Sequence, residues 1–247
     1  MEADDVNNTI KFNARKTKLI AHRGLSGLEK ENTCAAFVAA GNRSYYGIET
    51  DIHKTGNGNF IIIHDSTTIR VAGDNVNVEE TTYETLRQIR LLNRSGIKDR
   101  ADLHLPSLEE YISICKQYEK IAVLELKTDF TPEQIREIID RIEALDYIDG
   151  VVFISFIYDT LLKVREYRPN QRCQWLQGKM KERDICRLAA DKIDVDICWT
   201  DLTKKKVEMI HKKGLEVNCW TVDNPETAEM LASWGVDYIT SNILEAE

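Results

Sequence analysis

The sequence predicts an α/β fold of the (β/α)8 TIM-barrel type, and three observations favour this class. Eight short runs rich in Ile and Val alternate with longer amphipathic stretches, as in repeated strand-helix units around a parallel sheet. The length of 247 residues suits one such barrel, and 43% hydrophobic content supplies a sizeable core. No Gly-rich dinucleotide loop favours an open doubly wound sheet instead. We therefore expect residues 1–247 to form a single domain.

The predicted strands recur from residue 18 to the C-terminal region. They cover residues 18–22, 46–52, 121–126, 151–156, 172–176, 195–199, 216–220 and 237–240. Helix starts between them are indicated at Asn32-Thr33, Ser107, Thr131 and Asn224, and the last two precede a Pro that suits a first helical turn. Too few residues remain after Asn242 for an eighth helix, so we expect the N-terminal arm to cover that gap.

One segment departs from the alternation of strands and helices. Residues 66–105 separate the second strand from the next barrel helix, and we expect them to form a small inserted subdomain. Residues 60–63 are predicted to extend the second strand through a turn at Gly56-Asn57-Gly58. Residues 83–92 are predicted to form a short helix over the barrel mouth.

Composition restricts the partners and the location. Lys and Arg total 33 against 41 Asp and Glu, giving a net charge of -8, so nucleic acid and anionic membrane surfaces are poor partners. Residues 1–18 predict neither a signal peptide nor a membrane anchor, and the six cysteines show no C-x-x-C pair or zinc spacing. We expect a cytoplasmic protein with reduced thiols and no stable membrane association. Apolar helix faces do not separate a dimer surface from core packing, so a homo-oligomer stays open.

Carboxylates occur at the ends of two predicted strands. Side chains two residues apart in a strand share a face, so Glu49 and Asp51 point the same way, as do Glu125 and Lys127. The C-terminal rim of a barrel carries catalytic groups, and buried carboxylates need a cation or strong donors. Three hard oxygen ligands suit Mg²⁺ or Ca²⁺. The sequence therefore predicts a divalent metal site at Glu49, Asp51 and Glu125.

Two histidines are expected at the same rim. His22 ends the first strand and His64 ends the extension of the second, and histidine gives or takes a proton near neutral pH. Arg23 would clamp an oxyanion, and Lys127 would add a compact positive charge. Cleavage of a phosphodiester needs groups of this kind: two proton carriers, a divalent cation and two fixed cations.

Simpler interpretations exist for these residues taken singly. A histidine at a strand end is often structural, Glu125 and Lys127 could form an ordinary salt bridge, and Asn32 could be only a helix cap. Trp220 ends the seventh strand and either walls the pocket or packs beside it. We expect His53, His104 and His211 to be structural or exposed. The coincidence of five charged or titratable groups at the rim positions of three strands favours a functional site.

Short motifs in the chain resemble the glycerophosphodiester phosphodiesterase family. They are His22-Arg23-Gly24, Glu31-Asn32-Thr33, Glu49-Thr50-Asp51, His64-Asp65, Glu125-Leu126-Lys127 and Trp220-Thr221-Val222-Asp223. Each is weak alone, but their order and spacing are specific and span nearly the whole chain past residue 18. Lys30 replaces the usual Pro before Glu-Asn-Thr, and Thr240-Ser241 replaces a frequent Thr-Asp. Lys30 alters the loop into the first helix and Ser241 alters the barrel rim, and neither change removes a catalytic group of the family.

The resemblance implies a metal-dependent hydrolase that releases sn-glycerol 3-phosphate and an alcohol from glycerophosphodiesters such as glycerophosphocholine or glycerophosphoethanolamine. It implies the roles that follow: metal binding by Glu49, Asp51 and Glu125, acid/base catalysis by His22 and His64, and phosphate or substrate binding by Arg23, Asn32, Lys127 and Trp220. Two alternatives remain. One is a phospholipase-type relative acting on intact lipids, which the lack of a Lys/Arg-rich amphipathic helix disfavours. The other is a noncatalytic binder, which the histidine pair disfavours.

Overall fold

A computed structural model describes residues 8–247 and contains a closed parallel barrel. The strands are β1 (Ile10–Phe12), β2 (Lys18–Ala21), β3 (Gly47–Lys54), β4 (Phe60–Ile62), β5 (Ile121–Leu126), β6 (Val151–Ser155), β7 (Cys173–Gln177), β8 (Asp194–Cys198), β9 (Val217–Trp220), β10 (Tyr238–Ser241) and β11 (Leu244–Ala246). Strands β2, β3 and β5 to β10 pair side by side in parallel, and β2 pairs with both β3 and β10 to close the ring. The predicted (β/α)8 barrel is confirmed.

Helices lie between the barrel strands and in the insertion, and four of them begin where the local signals predict. They are α1 (Cys34–Gly41), α2 (Ile69–Ala72), α3 (Tyr83–Arg87), α4 (Leu108–Gln117), α5 (Pro132–Ala144), α6 (Tyr158–Tyr167), α7 (Glu182–Asp191), α8 (Lys204–Lys212) and α9 (Pro225–Ser233). The side chains of Thr33, Ser107, Thr131 and Asn224 each accept a hydrogen bond from a backbone N–H in the first turn. The cap of α1 is therefore Thr33 and not Asn32.

The two ends of the described chain meet where an eighth helix would lie. Strand β1 pairs in parallel with β11, and Phe12 and Leu244 are buried in the main hydrophobic core. Glu245 ties this pair to the barrel, because its carboxylate accepts from the Thr9 hydroxyl at 2.6 Å and from the Ser44 backbone N–H at 2.9 Å. The N-terminal arm thus covers the gap, as expected.

Strand β4 belongs to two hydrophobic cores. It runs antiparallel to β3, and Phe60 and Ile62 face the main core between strands and helices. Ile61 and the following Ile63 face a second core built mostly from residues 71–105. The predicted helix over 83–92 is shorter than expected, since α3 ends at Arg87. We propose that residues 66–105 unfold together with the barrel, because one strand serves both cores.

Replacing Ile61 by alanine tests this coupling. Ile61 is fully buried in the second core, so we expect Ile61→Ala to lower the free energy of unfolding by about 2–5 kcal/mol. Chemical unfolding followed by both fluorescence and circular dichroism should give one shared transition. Ile69→Ala is the matched control, because Ile69 in α2 is 53% exposed and should change little. Two separate transitions in the wild type would contradict the proposal.

Candidate active site

Three carboxylates converge at the C-terminal rim of β3 and β5. Glu49 and Asp51 point into the barrel because the alternate residues Ile48 and Ile52 pack against the helices. Asp51 is the register partner of Glu125 on β5. One oxygen from each carboxylate lies within 4.8 Å of the others, and all three residues are buried. The strand parity thus brings together the three predicted metal ligands.

The surrounding charges show that this group fits a cation. The ammonium of Lys127 lies 2.9 Å from Glu125 Oε1 and 3.4 Å from Asp51 Oδ1, and Arg23 Nε lies 3.7 Å from Asp51 Oδ2. Burial and repulsion from the neighbouring carboxylates raise the pKa of Glu49 well above its ordinary value, and the same causes raise the pKa of Glu125 to about 7. Burial also opposes ionisation of Asp51, but Lys127 and Arg23 lower its pKa overall. The two fixed cations, Lys127 and Arg23, therefore do not neutralise all three carboxylates.

A buried oxygen atom that accepts no hydrogen bond also indicates a cation site. Oδ1 of Asp51 is buried and accepts no hydrogen bond from the described part of the chain. Glu49 Oε2, in contrast, accepts from the Arg23 backbone N–H at 2.7 Å. A hard divalent cation takes six or more oxygen ligands and would satisfy such an acceptor. The three carboxylates can hold a metal ion of this kind.

Asn32 lies behind Asp51. Its Nδ2 donates to Asp51 Oδ2 at 2.8 Å, and its Oδ1 accepts from the Thr50 hydroxyl at 2.7 Å. The backbone of Asn32 has a φ of 51°, a left-handed conformation that asparagine tolerates better than most residues. In this arrangement the amide orients a carboxylate of the triad. A direct contact between Asn32 and substrate stays a prediction.

His22 is held by a polar chain from the last barrel strand. Its Nδ1 lies 2.7 Å from Asn242 Oδ1, and Asn242 in turn donates through Nδ2 to Asp223 Oδ2 at 2.6 Å. The bond to Asp223 identifies the other side-chain atom of Asn242 as the oxygen, so His22 Nδ1 must be the donor. Burial lowers the pKa of His22, and Arg23 lowers it further, against the opposing effects of Asn242 and nearby carboxylates. His22 therefore presents an unprotonated Nε2 at neutral pH.

His64 is held by the residue that follows it. Its Nδ1 lies 2.6 Å from Asp65 Oδ1, and the other oxygen of Asp65 accepts from Arg70 Nε at 2.6 Å. Arg70 also donates from both terminal nitrogens to Glu31, and Glu31 accepts from Arg23 at 2.9 Å. One guanidinium on α2 of the insertion thus joins the partner of His64 to the partner of Arg23.

A single cavity at the rim collects most of the predicted site. Seven of the residues singled out from the sequence line it: His22, Arg23, Glu49, His64, Glu125, Lys127 and Trp220. The ring of Trp220 meets that of Phe156 edge to face at 5.8 Å, and both line the cavity, so Trp220 forms part of its wall. His53 is 4% exposed and bonds to the His64 carbonyl at 3.1 Å, which gives it a structural position.

Most of the barrel, with its rim site, matches one family. The family model described as the glycerophosphoryl diester phosphodiesterase family matches residues 22–245. The chain belongs to this family. As a glycerophosphodiester phosphodiesterase family member it is an enzyme of the phosphoric diester hydrolase class, which confirms the implication of the motifs.

Relatives and solved structures are similar to the chain over most of its length. An uncharacterized protein of Mycoplasma genitalium is 31% identical over 85% of this chain and 88% of its own length. A glycerophosphodiester phosphodiesterase of Caldanaerobacter subterraneus is 27% identical over 92% of this chain and 94% of its own. An Oleispira antarctica phosphodiesterase, solved in complex with the product sn-glycerol-3-phosphate, has a TM-score of 0.83 at 23% identity, covering 92% of this chain and 93% of that one. The last comparison supports the fold.

The network around the histidines was not predicted from the sequence. Asn242 and Asp223 come after the last two barrel strands, and no short motif joins them to His22. Arg70 lies in the segment predicted to be an insertion. It is only five residues after Asp65, so a contact between these two side chains could have been predicted. Glu31 belongs to a motif already noted, but its ion pairs with Arg23 and Arg70 depend on the loop geometry.

Replacing Arg70 tests whether this family member needs the bridge from the insertion. Arg70→Gln removes the charge that joins Asp65 to Glu31, so we expect the kcat for diester hydrolysis to fall about tenfold, as for other groups that support catalytic side chains. Arg70→Lys should recover part of the loss. Arg183→Gln is the control, since the Arg183 side chain is 79% exposed in α7. Unchanged kcat in Arg70→Gln with a native circular dichroism spectrum would contradict the prediction.

Proposed function

We propose that this chain hydrolyses glycerophosphodiesters to sn-glycerol 3-phosphate and an alcohol, with His22 and His64 as an acid/base pair beside a divalent cation. The proposal depends on one observation: a single cavity is lined by both histidines and lies next to the three clustered carboxylates. In each histidine the Nδ1 atom lies within hydrogen-bond distance of an acceptor oxygen. A relative named glycerophosphodiester phosphodiesterase and a structural neighbour with bound sn-glycerol-3-phosphate support the choice of substrate.

Glu49, Asp51 and Glu125 would hold the cation, Mg²⁺ or Ca²⁺. When bound, such an ion supplies positive charge that polarises phosphoryl oxygens. Arg23 and Lys127 line the cavity on either side of β3, since one follows β2 and the other follows β5. They bring two further positive charges to the position of the phosphate, where negative charge gathers in the transition state. Trp220 would wall the far side of the bound diester.

The histidines would move the protons. The unprotonated Nε2 of His22 takes a proton from the attacking hydroxyl, either of water or of the neighbouring glycerol hydroxyl, because its Nδ1–H is engaged with Asn242. His64, held through Nδ1 by Asp65, gives a proton from Nε2 to the departing alkoxide. Attack by the glycerol hydroxyl would pass through a cyclic phosphate, so chemical trapping of that product distinguishes the two routes.

Release of sn-glycerol 3-phosphate tests the proposal directly. We expect turnover of glycerophosphocholine or glycerophosphoethanolamine in the presence of Mg²⁺ or Ca²⁺ and none with chelator. Labelled liposomes should release no headgroup, which separates this activity from a phospholipase. Tight diester binding without hydrolysis under every metal condition would contradict the proposal and favour a binding protein.

The cysteines support a cytoplasmic location as part of the same proposal. All six are free thiols in the structure, which suits a reducing compartment. Among residues 8–247, no helix is both long enough and apolar enough to cross a membrane. Cell fractionation should recover the protein with cytoplasmic markers. Light scattering of the purified protein tests the homo-oligomer that the sequence leaves open.

A further inference from the structure

Asp196 is a buried acid on the far wall of the catalytic cavity. The neighbouring residues Val195 and Ile197 of β8 pack against the helices, so Asp196 points into the barrel, where it is 2% exposed. It lines the same cavity as the histidines. Strand β8 lies four positions from β3 in either direction around the ring, so Asp196 faces the metal-binding carboxylates from the opposite wall.

One oxygen of the Asp196 carboxyl has no hydrogen-bond partner in the described part of its surroundings. Its Oδ1 is buried and has no hydrogen-bond partner among residues 8–247, and no Lys or Arg in that range forms an ion pair with it. Asn218, its register neighbour on β9, bonds to Gln174 and Thr240, each at 3.2 Å, and its contact with the Asp196 carboxyl leaves Oδ1 without a partner. A buried polar atom without a hydrogen-bond partner lowers the stability of the folded protein. A ligand that enters the cavity and bonds to Asp196 would remove this cost.

The side chains around Asp196 indicate which kind of ligand could bind there. Ile154, Leu176 and Phe156 line the same side of the cavity and offer contact to carbon atoms only. Burial raises the pKa of Asp196 well above its ordinary value, and repulsion from Glu125 adds to this against the opposing effect of a hydrogen bond with Asn218, so the carboxyl can donate as well as accept a hydrogen bond. A short carbon chain that ends in a hydroxyl matches this apolar lining and the carboxyl of Asp196, with the Thr221 and Thr240 side chains also at the cavity wall.

We propose that Asp196 binds the terminal hydroxyl of the substrate's glycerol moiety and makes the site selective for glycerol phosphates over analogues that lack this hydroxyl. The inference rests on the proposed function, which places the phosphate between Arg23 and Lys127. From there the three-carbon arm extends across the cavity, past Ile154 and Leu176, toward β8. The hydroxyl next to the phosphate stays near His22, which leaves the terminal one for Asp196.

Two ligands that differ in this hydroxyl test the proposal. Calorimetric titrations would compare sn-glycerol 3-phosphate with 2-hydroxypropyl phosphate, its 1-deoxy analogue, on wild type, Asp196→Leu and Asp196→Asn. We expect the wild type to prefer sn-glycerol 3-phosphate by about tenfold, the effect of one hydrogen bond to a buried group. Asp196→Leu should bind both ligands alike, and Asp196→Asn, which can still donate and accept, should keep most of the preference.

The outcomes separate this inference from the proposed function. Turnover of glycerophosphocholine with no wild-type preference between the two ligands would keep the function and overturn the role of Asp196. An equal preference in wild type and Asp196→Leu would overturn it as well, since another residue would then bind the hydroxyl. Preference lost only in Asp196→Leu supports it even if diester turnover is absent. Failure of both ligands to bind the wild type would overturn it together with the substrate class.

Discussion

Glu49→Gln is expected to abolish diester hydrolysis and the stabilisation of the protein by divalent cations in the same variant. Glu49 is buried, and its carboxylate lies with those of Asp51 and Glu125 in one cluster. An amide keeps the shape but removes one negative charge, so the cation is held by a weaker, uncharged ligand at this position. We expect kcat/KM to fall by at least about 100-fold, the upper effect of residues that only support metal ligands.

Thermal unfolding gives a second, independent measurement for this variant. A cation that binds only the folded wild type at about 100 times its Kd should add about 2.7 kcal/mol to the free energy of unfolding, and Glu49→Gln should lose most of that gain. Without metal the variant should be no less stable than the wild type, because it removes repulsion among buried carboxylates. Glu208→Gln, on the exposed side of α8, is the control. Metal stabilisation that survives in Glu49→Gln would place the cation elsewhere.

His22→Ala is expected to lower kcat by about 100- to 10,000-fold, the usual contribution of a positioned general base or acid. The imidazole is the only part of His22 that can take a proton, and its replacement leaves Asn242 without this partner. Since burial and Arg23 lower the pKa of His22 below its ordinary 6.5, the ring stays neutral into the acid range. At a saturating metal concentration, which keeps Glu49 and Glu125 ionised, wild-type kcat/KM should therefore hold as the pH falls through 6.5 and decline only below that value.

The matched control for His22 is another histidine with an acceptor. His211 bonds to Asp237 at 2.8 Å, and Asp237 precedes β10, which places the pair at the opposite end of the barrel from the cavity. His211→Ala should therefore keep nearly full kcat. Asn242→Ala, which removes only the partner of Nδ1, should show an intermediate loss. A His22→Ala enzyme with wild-type kcat would assign the proton acceptor to a different group.

Local rules accounted for much of the fold and of the candidate site. The alternation of side chains along a strand was enough to place Glu49, Asp51 and Glu125 on one face, and the rim position of barrel strand ends brought His22 and Lys127 to them. Caps such as Ser107 and Thr131 act within one helical turn, so a few residues of sequence contain the whole signal. These features depend on neighbours in the chain.

Other features depend on packing between distant segments. His22 and Asn242 are 220 positions apart in the chain. The sequence near either residue does not specify which polar side chain will contact the His22 ring. Asn32 was expected either as a cap or at the substrate, whereas the left-handed turn places its amide against Asp51. Asp196 lay in a predicted strand, but its lack of a partner is visible only once β7 and β9 flank it.

The link between Asn242 and His22 has a consequence for synthesis of the protein. The two residues are 220 positions apart, and β10 must insert between β9 and β2 before Asn242 can reach the imidazole. A nascent chain that has emerged only as far as β9 contains every proposed metal ligand and both histidines, yet we expect it to have an open barrel and an unsupported His22. We therefore expect the protein to acquire catalytic competence late in translation, at the step that closes the ring.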